Sequence, residues 1–205
     1  TTAGTPGDRR APVRLTLDIG IQHGVEAELA DTIDRLGAKA AAAVLLDANT
    51  GEVVAAASLP GIDPARPSDS LDPSRIDRLS AGIYELGSIF KAFTVAMALH
   101  GGQATLDTIY DVRQPLRVGR YLVRDLHPAG RPLTVREIFV SSSNVGAGMI
   151  ALEAGAQKQK DFLARFGLAS PIRTEAGFVT APRLPRHWGK AETITISYGH
   201  GIATA

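Results

Sequence analysis

Ser88 and Lys91 stand three residues apart in the stretch Tyr84-Glu-Leu-Gly-Ser-Ile-Phe-Lys91. On a helix that spacing brings both side chains to one face, with Cβ atoms about 5–6 Å apart. A serine hydroxyl is a weak nucleophile until a neighbouring base takes its proton, and a lysine held neutral by desolvation is such a base. Ser88 also follows Gly87 at the start of a predicted helix, where unpaired N–H groups and the positive dipole end favour an oxyanion. The same four letters equally spell an N-cap serine followed by a half-buried lysine. A second group, Ser142-Ser143-Asn144, interrupts an otherwise apolar helical stretch. Ser142 and Asn144 are two apart, so an extended or tightly turned backbone points both the same way. A serine there can relay a proton, and an asparagine can donate to and accept from a substrate amide. The competing description is a helix kink in which Ser and Asn cap the neighbouring helix.

The elements that must carry these residues are legible in outline. Asp18 is a good N-cap, and Ile21, Val25, Leu29, Ile33 and Leu36 recur at helical spacing, which predicts a helix over 19–36 closed by Gly37. Arg14 to Leu17 alternates like a short strand. Ala41–Leu46 and Glu52–Ser58 flank Asp47-Ala-Asn-Thr-Gly51 and predict a hairpin. Residues 60–78, with four prolines, form a long surface loop. A buried helix is predicted from near Ser88 to His100, with Ile89, Phe93, Ala96, Met97 and His100 on its inner face and Gly101-Gly102 as its stop. Val118–Val123 is a candidate strand. Thr134-Val-Arg-Glu137 is a capping box that begins a helix at Val135 and carries it to about Val140. Ser141-Ser-Ser-Asn144 then interrupts the chain, a further helix follows to about Glu153, and another runs from Gln157 to Phe166. Residues 168–191 read as irregular, and 193–198 as strand or turn. One helix, a hairpin and a mostly helical block make an α+β pattern.

Composition narrows the classes. With 205 residues, 44% hydrophobic and 21% charged, the chain suits one globular domain. A formal net charge of +1 argues against a nucleic-acid partner, which needs a basic face. The absence of Cys removes disulfides, thiolate metal sites and cysteine nucleophiles. The five His residues (His23, His100, His127, His187, His200) have no metal-ligand spacing, so no metal site is expected. The longest apolar run, Ala40–Leu46, is far shorter than the about 20 residues of a membrane-spanning helix. Residues 1–13 read as a linker from a missing N-terminal region. Only five of the 22 basic residues are lysines, so Lys91 inside a motif stands out.

Taken together, the two motifs resemble the active site of penicillin-binding proteins and the related serine β-lactamases, whose signature is S-x-x-K, then S-x-N, then K-T-G. The likeness extends to the flanks. Asp77-Arg78 with Tyr84-Glu-Leu-Gly-Ser88 resembles the approach to the nucleophile in division-type class B enzymes, and Leu133–Glu137 through Ser142-Ser-Asn-Val-Gly146 resembles their second motif. Ser197-Tyr-Gly-His-Gly201 is similar to the Gly-rich turn before the third, and Arg14-Leu-Thr-Leu-Asp18 with Gln22 to the entry of the transpeptidase domain. The resemblance covers about 14–205 and implies a partial serine β-lactamase/transpeptidase-like fold, with a helical block packed on an antiparallel sheet and incomplete at its C-terminus. No Lys-Thr-Gly follows Ser142; the nearest lysine, in Gly189-Lys-Ala191, precedes the Gly-rich turn. A second chain or a missing segment is therefore expected to complete the sheet.

The resemblance implies a peptidoglycan D,D-transpeptidase without cofactor. Ser88 is its nucleophile, Lys91 the base, Ser142 the relay and Asn144 the substrate-amide anchor. Neither Asn49 nor Asn144 has Glu four residues before it, so the water-activating Glu-x-x-x-Asn of class A β-lactamases is missing and a stable acyl-enzyme is expected. Implied partners are stem peptides, β-lactams, a membrane glycosyltransferase and division proteins. The implied place is the periplasmic side of the inner membrane, with the parent anchored there. The alternatives are a non-catalytic binding fragment and a carboxypeptidase or β-lactamase-type hydrolase.

Overall fold

Asp18 begins the first helix of the computed structural model, which describes residues 14–174 and 177–204. Its carboxylate accepts from the Ile21 N–H at 2.9 Å, and α1 runs over Ile19–Leu36 to Gly37, which closes it in the left-handed region at φ 61°. Strands β1 (Ala41–Leu46) and β2 (Val53–Leu59) pair antiparallel, with the register irregular between Leu45 and Leu46. In the turn between them, Asp47 Oδ1 accepts from the N–H groups of Asn49 and Thr50. Ala55 and Ala57 point inward from β2, and α1 packs on that strand. The methyl side chains let helix and strand approach closely.

Gln22 shows how side-chain chemistry sets this approach. Its amide donates to the Ala56 carbonyl at 3.0 Å and accepts from the Ala56 N–H at 2.9 Å, so it imitates a neighbouring strand. Residues 14–17, expected as a strand, form none. They are tied to β2 by the Thr16 hydroxyl on the Val53 carbonyl at 2.6 Å and, just beyond them, by the Asp18 N–H on the Val54 carbonyl at 3.0 Å. The loop after β2 contains two short 3-10 turns, Pro67–Leu71 and Pro73–Arg75. The predicted helix, hairpin and loop thus fall within one compact unit, whose described residues are 14–79.

The second unit, residues 80–205, is mainly helical. A 3-10 turn, Gly87–Phe90, leads into α2 (Lys91–His100). Then come β3 (Ile109–Tyr110), the small hairpin β4 (Leu116–Val118) and β5 (Tyr121–Val123), β6 (Leu133–Thr134), α3 (Val135–Val140), α4 (Asn144–Ala154) and α5 (Ala156–Arg165). The two-residue strands β7 (Arg173–Thr174) and β8 (Gly177–Phe178) precede α6 (Lys190–Ile196). The strands pair as β3 with β6, β4 with β5 and β7 with β8, all antiparallel.

Helix α4 is the axis of this unit. It is apolar all round, buries seven of its residues, and packs against α2, α3, α5 and α6. Two glycines permit that crowding. A Cβ on Gly146 would lie 2.5 Å from the Ile138 side chain, and one on Gly148 would lie 3.0 Å from Ile194 and Leu116.

Two further sequence expectations differ from the structure. The buried face of α2 and the turn that leads into it is Phe90, Lys91, Thr94, Val95, Met97 and Ala98, whereas Ile89 is 72% exposed and Ala96 and His100 face solvent. The cause is the 3-10 start, whose three residues per turn displace Ile89 from the face that a 3.6-residue period assigns to it. Residues 190–196, read in part as strand or turn from the run Thr-Ile-Thr-Ile, are helical. Burial of Ile194 and Ile196, together with Glu192 reaching back to the Gly189 N–H at 2.9 Å, outweighs the strand preference of β-branched side chains.

Candidate active site

Gly87 sets the entry to the site. It takes φ 60°, which a side chain rarely tolerates, and its N–H donates to the Gly199 carbonyl at 3.2 Å. The turn that follows leaves Ser88 exposed and carries Lys91 inward, to 2% exposure. The lysine stem lies in the core while its amine reaches back to the surface serine.

Ser142 reaches the same amine from the opposite direction, through a helix end. The Ser142 N–H donates to the Phe139 carbonyl at 3.2 Å and the Ser143 N–H to the Ile138 carbonyl at 3.0 Å. This pair of bonds is a Schellman closure of α3, with Ser142 in the left-handed position at φ 58°. Glycine ordinarily fills that position. Ser143 then caps α4 at once, its hydroxyl accepting from the Gly146 N–H at 2.9 Å. Two helices therefore meet with one strained serine between them.

Three oxygens surround the Lys91 Nζ: Ser88 Oγ at 3.0 Å, Ser142 Oγ at 2.8 Å and the Ser142 carbonyl at 2.8 Å. Burial pushes the amine below the ordinary lysine range, and the Asp125 carboxylate opposes that shift. A neutral amine has two N–H donors and one lone pair. The Ser142 carbonyl can only accept, so it takes one N–H. The other N–H and the lone pair are left for the two hydroxyls, which suits proton transfer between them.

The structure thus brings together Ser88, Lys91 and Ser142. Asn144 opens α4 beside them, half-buried, and its Nδ2 lies 3.5 Å from the Arg124 carbonyl. Among the described residues, no hydrogen bond joins it to the other three. Several supporting residues escaped the sequence reading. Asp125 accepts from Ser143 Oγ at 2.7 Å and from the Val145 N–H at 2.9 Å. The Thr94 hydroxyl donates to the Ser197 carbonyl at 2.7 Å, and Glu85 pairs with the Gly201 N–H and the His200 ring. Only the Gly-rich spelling of 199–201 signalled such a strap. Asp125 gave no signal, because it is 18 residues from its Ser143 partner and in no regular pattern with it.

The class defined by this arrangement is a helical fold that opens a helix with serine and lysine and faces them with a second serine. Penicillin-binding protein 3 from Mycobacterium tuberculosis, solved with aztreonam, superposes with a TM-score of 0.81 at 28% identity, covering 93% of this chain and 43% of that one. The family model described as penicillin binding protein transpeptidase domain matches residues 41–205, and the chain belongs to that family. It is 33% identical over 196 residues to the probable peptidoglycan D,D-transpeptidase FtsI of Caulobacter vibrioides, covering 96% of this chain and 33% of that protein. It is 36% identical over 192 residues to the probable peptidoglycan D,D-transpeptidase PenA of Neisseria gonorrhoeae, covering 92% of this chain and 32% of the relative. The chain therefore spans about a third of the length of these curated relatives.

Proposed function

We propose that this chain carries the acylation site of a peptidoglycan D,D-transpeptidase that β-lactams also acylate. The observation that carries this reading is the Lys91 amine, buried and in contact with the hydroxyls of both Ser88 and Ser142. In acylation Ser88 Oγ bonds to the penultimate D-Ala carbonyl carbon of a stem peptide, and its proton passes to the Lys91 lone pair. The Ser88 N–H supplies half of the oxyanion hole. As the C–N bond to the terminal D-Ala breaks, Ser142 gives its proton to the leaving amine and regains one from Lys91. An amine from a second stem peptide then attacks the ester. Its proton returns to Ser88 through the same groups, and a cross-link forms. A β-lactam follows the first half, with its ring nitrogen taking the proton while staying tethered to the acyl group. Asn144 orients the substrate amide from the start of α4. No step uses a cofactor.

Septal wall synthesis is the proposed setting. The protein acts on the periplasmic side of the inner membrane beside a membrane glycosyltransferase and division proteins. The likeness to FtsI and PenA supports this part.

The test is covalent labelling of the full-length protein with a fluorescent penicillin. We expect a stable adduct on the unsubstituted protein and none on Ser88→Ala. Rapid loss of label by hydrolysis would favour a carboxypeptidase or β-lactamase, and absence of label would favour a binding module; either defeats the proposal.

A further inference from the structure

The Ser142 turn is held from outside by a dipeptide that takes no part in the Ser88–Lys91–Ser142 contacts. Asp125 Oδ2 accepts from Ser143 Oγ and Oδ1 from the Val145 N–H, at 2.7 and 2.9 Å. The adjoining Arg124 carbonyl meets Asn144 Nδ2 at 3.5 Å. Three successive residues after Ser142 are therefore each addressed by Arg124-Asp125, a segment distant in sequence. The need for such a clamp is visible in Ser142 itself, which stands at φ 58° in a position that suits glycine. A serine there keeps its strained backbone only if the surroundings leave it no alternative. Asp125 supplies two charge-assisted bonds directly beyond it, one to a hydroxyl and one to an N–H that α4 cannot pair internally.

We propose that Asp125 is a positioning residue of the acylation site, which fixes the turn through Ser143 and Val145 and so holds both Ser142 oxygens on the Lys91 amine. The inference rests on the function proposed above and deepens it. Its carboxylate has a second effect. The neighbours of the Lys91 amine are the two hydroxyls and the Ser142 carbonyl, and the Asp125 carboxylate, held beyond them on Ser143 and Val145, opposes the effect of burial on that amine. A carboxylate there favours the ammonium form, against burial, so Asp125 also raises the pH above which the lysine is a base.

The experiment measures the rate of acylation by a fluorescent penicillin over a pH series for the full-length protein, D125A, D125N and S88A. D125A releases both bonds, and we expect its acylation to be slower by about tenfold or more at every pH. D125N keeps the side-chain volume and one acceptor but loses the charge. We expect a smaller loss, with the rising limb of the pH profile displaced to lower pH. A merely structural aspartate slows the reaction without moving that limb. Unchanged rates in D125A, or a D125N limb that stays in place or moves upward, overturn the proposal. Circular dichroism shows whether D125A folds; if it does not, the D125N profile alone decides. Labelling of S88A, or none of the unsubstituted protein, defeats the proposed function instead and is read from those two samples.

Discussion

Ser142 is where chemistry and local stability conflict. Its left-handed backbone costs about 1–2 kcal/mol relative to glycine, which has no Cβ to crowd the following carbonyl. The cost is tolerated because that position aims the hydroxyl and the carbonyl at Lys91, each at 2.8 Å. We expect Ser142→Gly to raise stability in urea unfolding by about 0.5–1 kcal/mol, the strain relieved less the added freedom of the unfolded chain. The same change removes the proposed proton relay, so acylation by penicillin should slow sharply. A substitution that lowers stability contradicts the strain, and one that acylates at the original rate contradicts the relay. Lys91 shows the same conflict in its amine, which burial pushes below the ordinary lysine range. That depression is unfavourable to the folded state while the unfolded lysine is protonated, and it is also what makes a lysine useful as a base.

At the scale of elements, the site depends on a close crossing between the turn at Gly87 and the strap 197–204. The strap is fastened at several points: Ser197 to Thr94, Gly199 to Gly87, Gly201 to Glu85, and Thr204 to Tyr84 at 2.8 Å. The tightest is Gly199, at φ 78°, where a Cβ would lie 2.1 Å from the Gly87 carbonyl oxygen. We expect Gly199→Ala to destabilise the protein by about 1–3 kcal/mol and to slow acylation, because the turn must shift and Ser88 follows it. Thermal unfolding with penicillin labelling checks both, and an alanine variant with unchanged melting and labelling contradicts the crossing. The capping box of α3 was legible because Thr134 and Glu137 need only local spacing, and the structure forms both of its bonds, at 3.2 and 2.9 Å. Helix α6 was not legible, because its apolar burial against α4 comes from a partner remote in sequence.

The two compact units bury their parts very differently. In the first, α1 contains no buried residue, and Val44, Leu45 and Leu46 of β1 are 48%, 44% and 56% exposed. In the second, α4 has seven buried residues and is surrounded by helices. Opening of a segment costs in proportion to the contacts it must break. In the 205-residue chain we therefore expect the amides of α4 to exchange with deuterium far more slowly than those of α1. Equal protection, read by mass spectrometry of peptic fragments, contradicts that ordering. Among the described residues no helix is long and apolar enough to cross a membrane.

Much of this protein was determined by short-range patterns. Asp18, Gly37, Thr134, Glu137 and the Gly-rich turns mark element ends because capping and left-handed geometry are settled within a few residues. Ser88 with Lys91, and Ser142 with Asn144, were candidates for the same reason, since their spacing is local. Tertiary structure alone decided that Lys91 Nζ stands between Ser88 and Ser142, the latter 51 residues from Lys91. It also decided that Asp125 clamps the turn, that Gly199 lies on Gly87, and which face of α2 is buried. Each of these is a contact between distant segments. Its energy comes from burial and close approach that exist only once the helices have packed around α4, and no local spacing of residues encodes it.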